Sequence, residues 1–185
     1  MLVIFTVGTA ASGKSTWARS VASSYPGLRI AIVERDAVRV ALHMADVGTP
    51  FSWSNWNRSF ENRVQWLWEK SVQDALPDHD VIILADTHLD LSYMDDEVAW
   101  LRGLGIMDMV IQYFPALPLV GLIRRDQGRP NFVGAAVLRE HVQKLLPEEC
   151  YWVVLDQRLA DASTGSKQSM TAANHEKRSV ADSVL

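Results

Sequence analysis

Short apolar runs alternate along the chain with longer segments in which apolar residues recur three or four positions apart. A continuous apolar run is typical of a strand buried on both faces of a parallel sheet, and the longer period is typical of a helix packed on one side. The runs predict five strands, at residues 2–7, 29–33, 80–85, 107–113 and 151–155. The longer period predicts helices at residues 14–24, 37–44, 56–76, 93–104, 116–124 and 134–146. This alternation predicts an α/β fold, a three-layer α/β/α sandwich around a mostly parallel five-stranded sheet.

Residues 159–185 differ from the rest of the chain, because they are mostly Ala, Ser, Thr, Lys, Gln and Asn without any periodicity. Such a segment cannot bury enough apolar surface to order itself, so it predicts a disordered C-terminal tail. Residues 1–158 then form one domain, a length that suits a single hydrophobic core.

The charge and cysteine content narrow the possible partners and location. The net charge of −4 means that binding to nucleic acid would need a local basic face. The single cysteine, Cys150, excludes an internal disulfide, and no apolar run reaches the roughly 18 residues that cross a bilayer. We therefore expect a cytoplasmic protein without a membrane partner. The sequence does not determine its oligomeric state. The five histidines show no metal-ligand spacing.

Residues 8–15 read Gly-Thr-Ala-Ala-Ser-Gly-Lys-Ser and match the G-x-x-x-x-G-K-[ST] pattern between a predicted strand and a predicted helix. The glycines let the backbone curl so that its amides face phosphates, Lys14 reaches the β- and γ-phosphates, and Ser15 holds Mg²⁺. A glycine-rich turn without a ligand would explain the glycines but not the Lys-Ser pair. The residues predicted to bind ATP here are Gly8, Ala11, Ser12, Gly13, Lys14, Ser15 and Thr16.

The loop indicates a nucleoside triphosphate but leaves its use open, because GTPases, motor ATPases and small kinases share it. The small domain and the absence of an Asn-Lys-x-Asp motif favour a kinase. Asp36 follows the second predicted strand, whose carboxyl end opens onto the same crevice, and could orient an attacking hydroxyl as a general base. Arg39 lies three residues on and could hold an anionic acceptor. Equally, Asp36 could be an N-cap and Arg39 a solvated residue.

Several strings resemble the kinase domain of the T-even phage 5′-polynucleotide kinase family. They are residues 4–8, Ser-Gly-Lys-Ser-Thr-Trp-Ala-Arg at 12–19, Tyr-Pro-Gly at 25–27, Arg35-Asp36 with Arg39, residues 81–83 with Asp86, Thr87 and Leu89, and Arg125 and Arg129 before 137–139. The resemblance spans residues 1 to about 150, with weak identity between the motifs, and implies a P-loop kinase fold.

The resemblance also implies roles for particular residues. Asp36 would be the general base, Arg39 would contact the acceptor's phosphate, and Asp86 with Thr87 would support the acceptor side. Lys14 would act on the phosphates in catalysis, and Arg125 and Arg129 would be catalytic residues of a lid over ATP, where guanidinium groups neutralise charge during transfer.

The chain departs from that family in two places. The phage enzyme carries a phosphatase domain with an Asp-x-Asp-x-Thr motif, for which these 185 residues have no room, so we expect no 3′-phosphatase activity. The segment from Ser52 to Trp68 carries four tryptophans in place of a more basic stretch. They could stack on a base beside Arg58 and Arg63, or pack on the sheet, and packing is favoured for Trp66 and Trp68.

These observations leave three hypotheses. The first is a kinase that uses ATP and Mg²⁺ to phosphorylate the 5′-hydroxyl of a DNA or RNA end, with nucleic acid as its partner. The second keeps the chemistry but changes the acceptor to a hydroxymethylated base, a nucleoside or another small molecule. The third is a nucleotide-dependent switch with slow hydrolysis and no acceptor.

Overall fold

The computed structural model describes the backbone of residues 1–162 and the side chains of residues 1–155. Within this part of the chain the strands are β1 (Leu2–Val7), β2 (Ile30–Val33), β3 (Val81–Leu84) and β4 (Asp108–Tyr113). The helices are α1 (Lys14–Ser24), α2 (Arg35–Val47), α3 (Glu61–Ala75), α4 (Leu91–Gly103), α5 (Leu119–Gln127), α6 (Ala135–Lys144) and α7 (Glu148–Ala162), with a short 3₁₀ helix at Arg58–Phe60. The predicted tail from residue 159 lies mostly outside the described residues and stays a prediction.

The four strands form one parallel sheet in the order β2-β3-β1-β4. β1 and β3 lie at its centre, and β3 is buried along its whole length because helices cover both faces of a parallel sheet. Since all strands point the same way, the residues that follow β1, β2 and β3 meet at one edge of the sheet.

The helices form two layers around this sheet. Right-handed crossovers place α1 on one face and α3 and α4 on the other. α7 packs against α4 and the edge strand β4, and α3 packs against α2 and β2. The predicted α/β/α architecture is confirmed, and no described helix is long and apolar enough to cross a membrane.

The predicted fifth strand, residues 151–155, is wrong, because these residues belong to α7. A short apolar run fits a strand or a buried helix equally well. Tyr151, Trp152, Val154 and Leu155 are buried whereas Val153 is 47% exposed, which fits a helix with one face turned to solvent. The indole of Trp152 also donates to the carboxylate of Glu148, one helical turn earlier, at 3.0 Å. The sheet therefore has four described strands, with β4 at its edge.

Candidate active site

The P-loop, residues 8–15, follows β1 and leads into α1. At Gly8 an added Cβ would lie 2.8 Å from the Cβ of Phe114 and 3.1 Å from the hydroxyl of Ser12, so only glycine fits. Gly13, the N-cap of α1, has a φ of +109°, which side chains rarely adopt. The curled backbone and the N-terminus of α1 together form a site suited to phosphate.

Lys14 lies buried beneath this loop. Its Nζ donates to the carbonyl oxygens of Gly8 at 3.0 Å and Thr9 at 2.5 Å. Burial lowers the pKa of Lys14 to about 8, against the opposing effect of the Asp86 carboxylate. A phosphate group beside Nζ would stabilise the charged form, so the side chain is placed to gain from an anionic ligand.

A cavity of about 790 Å³ opens over the P-loop. Of the residues predicted to bind ATP, only Gly8 does not line it. The others do, and they are Ala11, Ser12, Gly13, Lys14, Ser15, Thr16, Arg125 and Arg129. Trp17 and Phe114, whose rings meet edge to face with centroids 5.8 Å apart, also line it, and the sequence analysis missed both. We call this space the donor cavity.

The connection between α5 and α6 is held by a buried carboxylate. Asp126, only 2% exposed, accepts from the backbone amides of Val133 at 3.1 Å and Gly134 at 2.9 Å. Its other oxygen lies 3.6 Å from Nη1 of Arg129. Arg125 lies in the last turn of α5, which continues three residues beyond the predicted end. Arg125 and Arg129 both line the donor cavity, and the bonds of Asp126 hold the segment between them and α6 in place.

A second cavity, of about 260 Å³, lies among residues that follow β2 and β3. It contains all four residues predicted for the acceptor side, Asp36, Arg39, Asp86 and Thr87, together with Arg35, His88, Leu89, Asp90, Tyr93, His141 and Lys144. We call it the acceptor cavity. It adjoins the P-loop, because the amide of Gly8 donates to the carbonyl of Thr87 at 3.1 Å and the amide of Ala10 donates to Nδ1 of His141 at 3.1 Å.

Asp36 is the second residue of α2, and the N-cap is Glu34, whose side chain makes no capping bond. The N-cap interpretation of Asp36 is therefore wrong. The Asp36 side chain is 49% exposed and accepts from Nη1 of Arg39 at 2.8 Å. Arg39 also donates through Nε and Nη2 to both carboxylate oxygens of Glu61, at 3.1 and 2.9 Å. Each of the three nitrogens of the Arg39 guanidinium thus has a carboxylate partner.

Asp86 lies just after β3 and is bound from two directions by Arg35. The backbone amide of Arg35 donates to Oδ1 at 2.9 Å, and its Nη1 donates to Oδ2 at 2.7 Å. The Arg35 guanidinium lies 3.8 Å from the ring centroid of Trp68 and 5.1 Å from that of Tyr93. Arg35 belongs to the predicted motif but had no predicted role. Its Nη2 also donates to Glu97, and neither Glu97 nor Tyr93 could be predicted, because nothing in their spacing links them to residues 35 and 86.

The tryptophans divide between packing and exposure. Trp68 is fully buried, as predicted, whereas Trp66 is 61% exposed and the packing prediction for it is wrong. The buried stripe of α3 runs through Val64, Trp68 and Val72, and two residues of helix turn Trp66 away from it. Trp53 is 36% exposed and lies over the Arg39 guanidinium at 5.3 Å.

His88 follows the end of β3 and lines the acceptor cavity, yet it is only 5% exposed. Its backbone has a φ of +44°, in the left-handed region that is rare for residues with side chains. That conformation turns the ring inward, where it meets Phe5 edge to face with centroids 5.1 Å apart. Sequence alone gives no sign of such a backbone conformation.

The donor cavity fits the ATP and Mg²⁺ that the P-loop implies. Its glycine positions leave the backbone accessible, its buried lysine has a lowered pKa, and the hydroxyl-bearing Ser15 lines the wall. Among the described residues no cluster of three or more His, Cys, Asp or Glu side chains could hold a metal by itself.

The fold and the P-loop define a P-loop kinase-type phosphotransferase, and nucleotide binding belongs to that class. A family model described as an AAA domain matches residues 3–146, so the chain belongs to this family. No curated protein matches the chain in sequence.

Two solved structures illustrate the likeness. A chain in the structure of a Pnkp1/Rnl/Hen1 complex is 26% identical with a TM-score of 0.50, over 66% of this chain and 38% of that one. The tunicamycin resistance protein of Deinococcus radiodurans is 15% identical with a TM-score of 0.52, over 89% of this chain and 96% of that one, and shares the fold. The chain thus spans well under half of the first of these proteins.

Proposed function

We propose that the protein transfers the γ-phosphoryl group of ATP to the 5′-hydroxyl of a DNA or RNA end. The observation that carries the proposal is the half-exposed Asp36 carboxylate in a second cavity beside the P-loop, at the edge where the strands end. A nucleotide switch needs no such cavity, whereas a kinase needs a carboxylate there to orient a hydroxyl.

In this scheme each cavity has its own task. Lys14 and the amides of the P-loop bind the β- and γ-phosphates, and Ser15 would hold Mg²⁺, which neutralises phosphate charge when bound. Arg125 and Arg129 approach the same phosphates from the lid and stabilise the charge that spreads over the transferring group.

On the acceptor side, Asp36 accepts the hydroxyl proton and aligns the oxygen for attack. Arg39 holds Asp36 in place and contacts the acceptor's phosphate. Asp86 and Thr87 line the same cavity, where their oxygens would bind the sugar of the acceptor.

Two likenesses favour a polynucleotide acceptor. The Arg35-Asp36 and Arg39 motif resembles that of the phage 5′-polynucleotide kinase family. The second is the 26% identity with a chain in the structure of a Pnkp1/Rnl/Hen1 complex. Trp53 beside Arg39 would offer a base an aromatic surface on which to stack.

One observation favours a second candidate, a kinase for a hydroxyl without a neighbouring phosphate. Each nitrogen of the Arg39 guanidinium already faces a carboxylate, from Asp36 or Glu61, so a phosphate would have to displace Glu61. Lys144, another cation of this cavity, is paired with Glu140 at 2.7 Å. A hydroxymethylated base or a nucleoside would meet no such competition.

The test is transfer of label from γ-labelled ATP to a panel of acceptors. The panel contains single-stranded DNA and RNA with a 5′-hydroxyl, the same oligonucleotides with a 5′-phosphate, free nucleosides, nucleoside 3′-monophosphates, and duplex DNA with a hydroxymethylated base. We expect label on the 5′-hydroxyl oligonucleotides and none on their 5′-phosphorylated counterparts. Label only on the hydroxymethylated duplex or on nucleosides would replace the first candidate by the second.

A further inference from the structure

Four largely buried side chains of alternating charge form a chain along the wall of the acceptor cavity. They run from Asp86 through Arg35 and Glu97 to His88, with exposed side-chain fractions of 14, 9, 4 and 1%. Nη1 of Arg35 donates to Asp86 at 2.7 Å, and Nη2 of Arg35 donates to Oε1 of Glu97. Oε2 of Glu97 lies 3.1 Å from Nε2 of His88.

The surroundings of His88 determine its protonation. Nδ1 lies 2.7 Å from the carbonyl oxygen of Thr6, which can only accept, so this nitrogen carries a proton. Nε2 faces the carboxylate of Glu97, which also accepts. A neutral imidazole has one N–H and would turn a lone pair towards one of these oxygens. An imidazolium donates to Thr6 and places its second N–H and its charge 3.1 Å from the Glu97 carboxylate, although Nε2 and Oε2 are not aligned as a hydrogen bond.

The charged groups around His88 come from three neighbouring elements. Glu97 belongs to α4, Asp86 to the loop after β3, and Arg35 to α2. Burial by itself lowers the pKa of His88, but the Glu97 carboxylate and, less strongly, Asp86 reverse this effect, so that the pKa is raised above 6.5. With His88 charged, the four groups sum to zero charge, whereas a neutral His88 leaves one buried negative charge uncompensated.

Arg35 transmits this arrangement to the acceptor cavity. All three of its guanidinium nitrogens have acceptors, because Nε and Nη2 also donate to Oε1 of Gln65 at 3.3 and 3.1 Å. Its backbone amide binds Asp86, and it is the first residue of α2, so its position sets the first turn of the helix that carries Asp36.

We propose that His88 is a protonated positioning residue which, through Glu97 and Arg35, holds Asp86 and the first turn of α2 in the geometry that receives the acceptor. The protonation stands on its own, whereas the consequence for transfer rests on the proposed function. Glu97 does not line the cavity, and the His88 side chain is only 1% exposed although the residue lines it, so neither group would touch the reacting atoms.

The protonation is tested by NMR of the ¹⁵N-labelled protein, in which the imidazole nitrogens of His88 are observed at pH 7.5. The signals are assigned by their loss in His88→Gln. We expect both nitrogens of His88 to carry a proton. A single proton on His88 would overturn the proposal, and this measurement needs no acceptor substrate.

The positioning role is tested by kinetics of His88→Gln and Glu97→Gln with whichever acceptor the wild type phosphorylates. We expect kcat to fall about tenfold to 100-fold with the KM for ATP unchanged, because only the acceptor side is disturbed. The wild-type kcat should decline at alkaline pH as His88 loses its proton, and this decline should be absent in His88→Gln. The double variant pairs two neutral amides, so its kcat should exceed the value expected from multiplying the two single effects.

The outcomes separate the two proposals. A wild type that transfers phosphate to no acceptor, with two protons on His88, would contradict the proposed function alone. The positioning role would be overturned if His88→Gln folds and has the kcat and the pH profile of the wild type. If both single variants fail to fold, the double variant decides, since a purely structural role predicts equal loss of ATP binding and of transfer.

Discussion

The donor and acceptor cavities lie side by side, but the first is formed largely by backbone and the second by side chains. The donor cavity is formed mainly by one contiguous segment, residues 10–17, whose backbone amides and lysine face the phosphate position. The acceptor cavity is formed by side chains from α2, α4, α6 and the loop after β3, joined by ion pairs across many residues of sequence.

Because of this difference, the donor cavity determines the reaction class and the acceptor cavity determines the substrate specificity. A backbone cradle binds phosphate in any P-loop protein, so the donor cavity indicates the class and little more. The acceptor cavity consists of side chains, each of which can be replaced by substitution in a related protein. The negative charges of its carboxylates are paired with the positive charges of its guanidinium groups. Substitutions should therefore affect the two cavities independently, and four experiments can confirm or refute that independence.

The largest effect is expected for Asp36→Asn, which removes the proposed base and keeps the size of the side chain. The kcat should fall about 100-fold to 10 000-fold, the range for a general base, while ATP affinity stays unchanged because the donor cavity is intact. Transfer of labelled phosphate measures the first quantity and calorimetric titration with ATP the second.

Asp46→Asn is the matched control for Asp36→Asn. Asp46 lies in the same helix and pairs with Arg63 away from both cavities, so this variant should keep full activity. If Asp36→Asn kept most of the wild-type rate, Asp36 would not be the general base. Equal loss of ATP affinity would refute the independence of the two cavities.

A smaller loss is expected for Arg129→Gln and for Arg125→Gln. Each removes one guanidinium that faces the transferring phosphate, which should lower kcat about 100-fold, as for the loss of one charge-stabilising donor. Arg124→Gln is the control, because this neighbour in α5 is exposed and does not line the donor cavity. The same small effect in all three variants would mean that Arg125 and Arg129 are solvated residues and do not form a lid.

How far the sequence predicted each cavity follows from how each is built. The P-loop could be predicted because its residues are adjacent and occupy fixed positions between β1 and α1. Asp36, Arg39, Asp86 and Thr87 were predicted on the other side, and the structure brings them to one cavity. Their roles stay predictions until transfer is measured.

The parts that sequence did not predict depend on contacts between distant residues. Arg35 and Glu97 are 62 positions apart, and no spacing rule connects them. His88 becomes buried through a backbone conformation that its residue type does not suggest. The run at residues 151–155 is equally apolar in a strand and a helix, and only its packing on α4 and β4 decides between them.

Trp53→Leu should have a more modest effect, confined to the acceptor side. If Trp53 stacks on a base, its loss should raise the KM for an oligonucleotide acceptor about tenfold, with kcat and ATP affinity unchanged. Trp66→Leu is the control, since Trp66 is exposed on α3 and away from Arg39. An unchanged KM in Trp53→Leu, or an equal rise in Trp66→Leu, would contradict a stacking role.

The smallest effect concerns the charge of Lys14 and isolates the donor cavity. Burial lowers the pKa of Lys14 to about 8 in the free protein, and bound phosphates should raise it again. Below pH 8 the side chain is charged before and after binding, so no proton is exchanged. Above pH 8 binding must take up a proton, and affinity should fall, by at most about tenfold per pH unit, as the pH rises further. Titration with ATP at pH 8.5 in two buffers of different ionisation enthalpy measures this uptake, with pH 6.5 as the reference condition. The Asp36 carboxylate raises the pKa of Lys14 only weakly, so Asp36→Asn should show nearly the same uptake as the wild type, and a much larger uptake would show that the acceptor side sets the charge of the lysine.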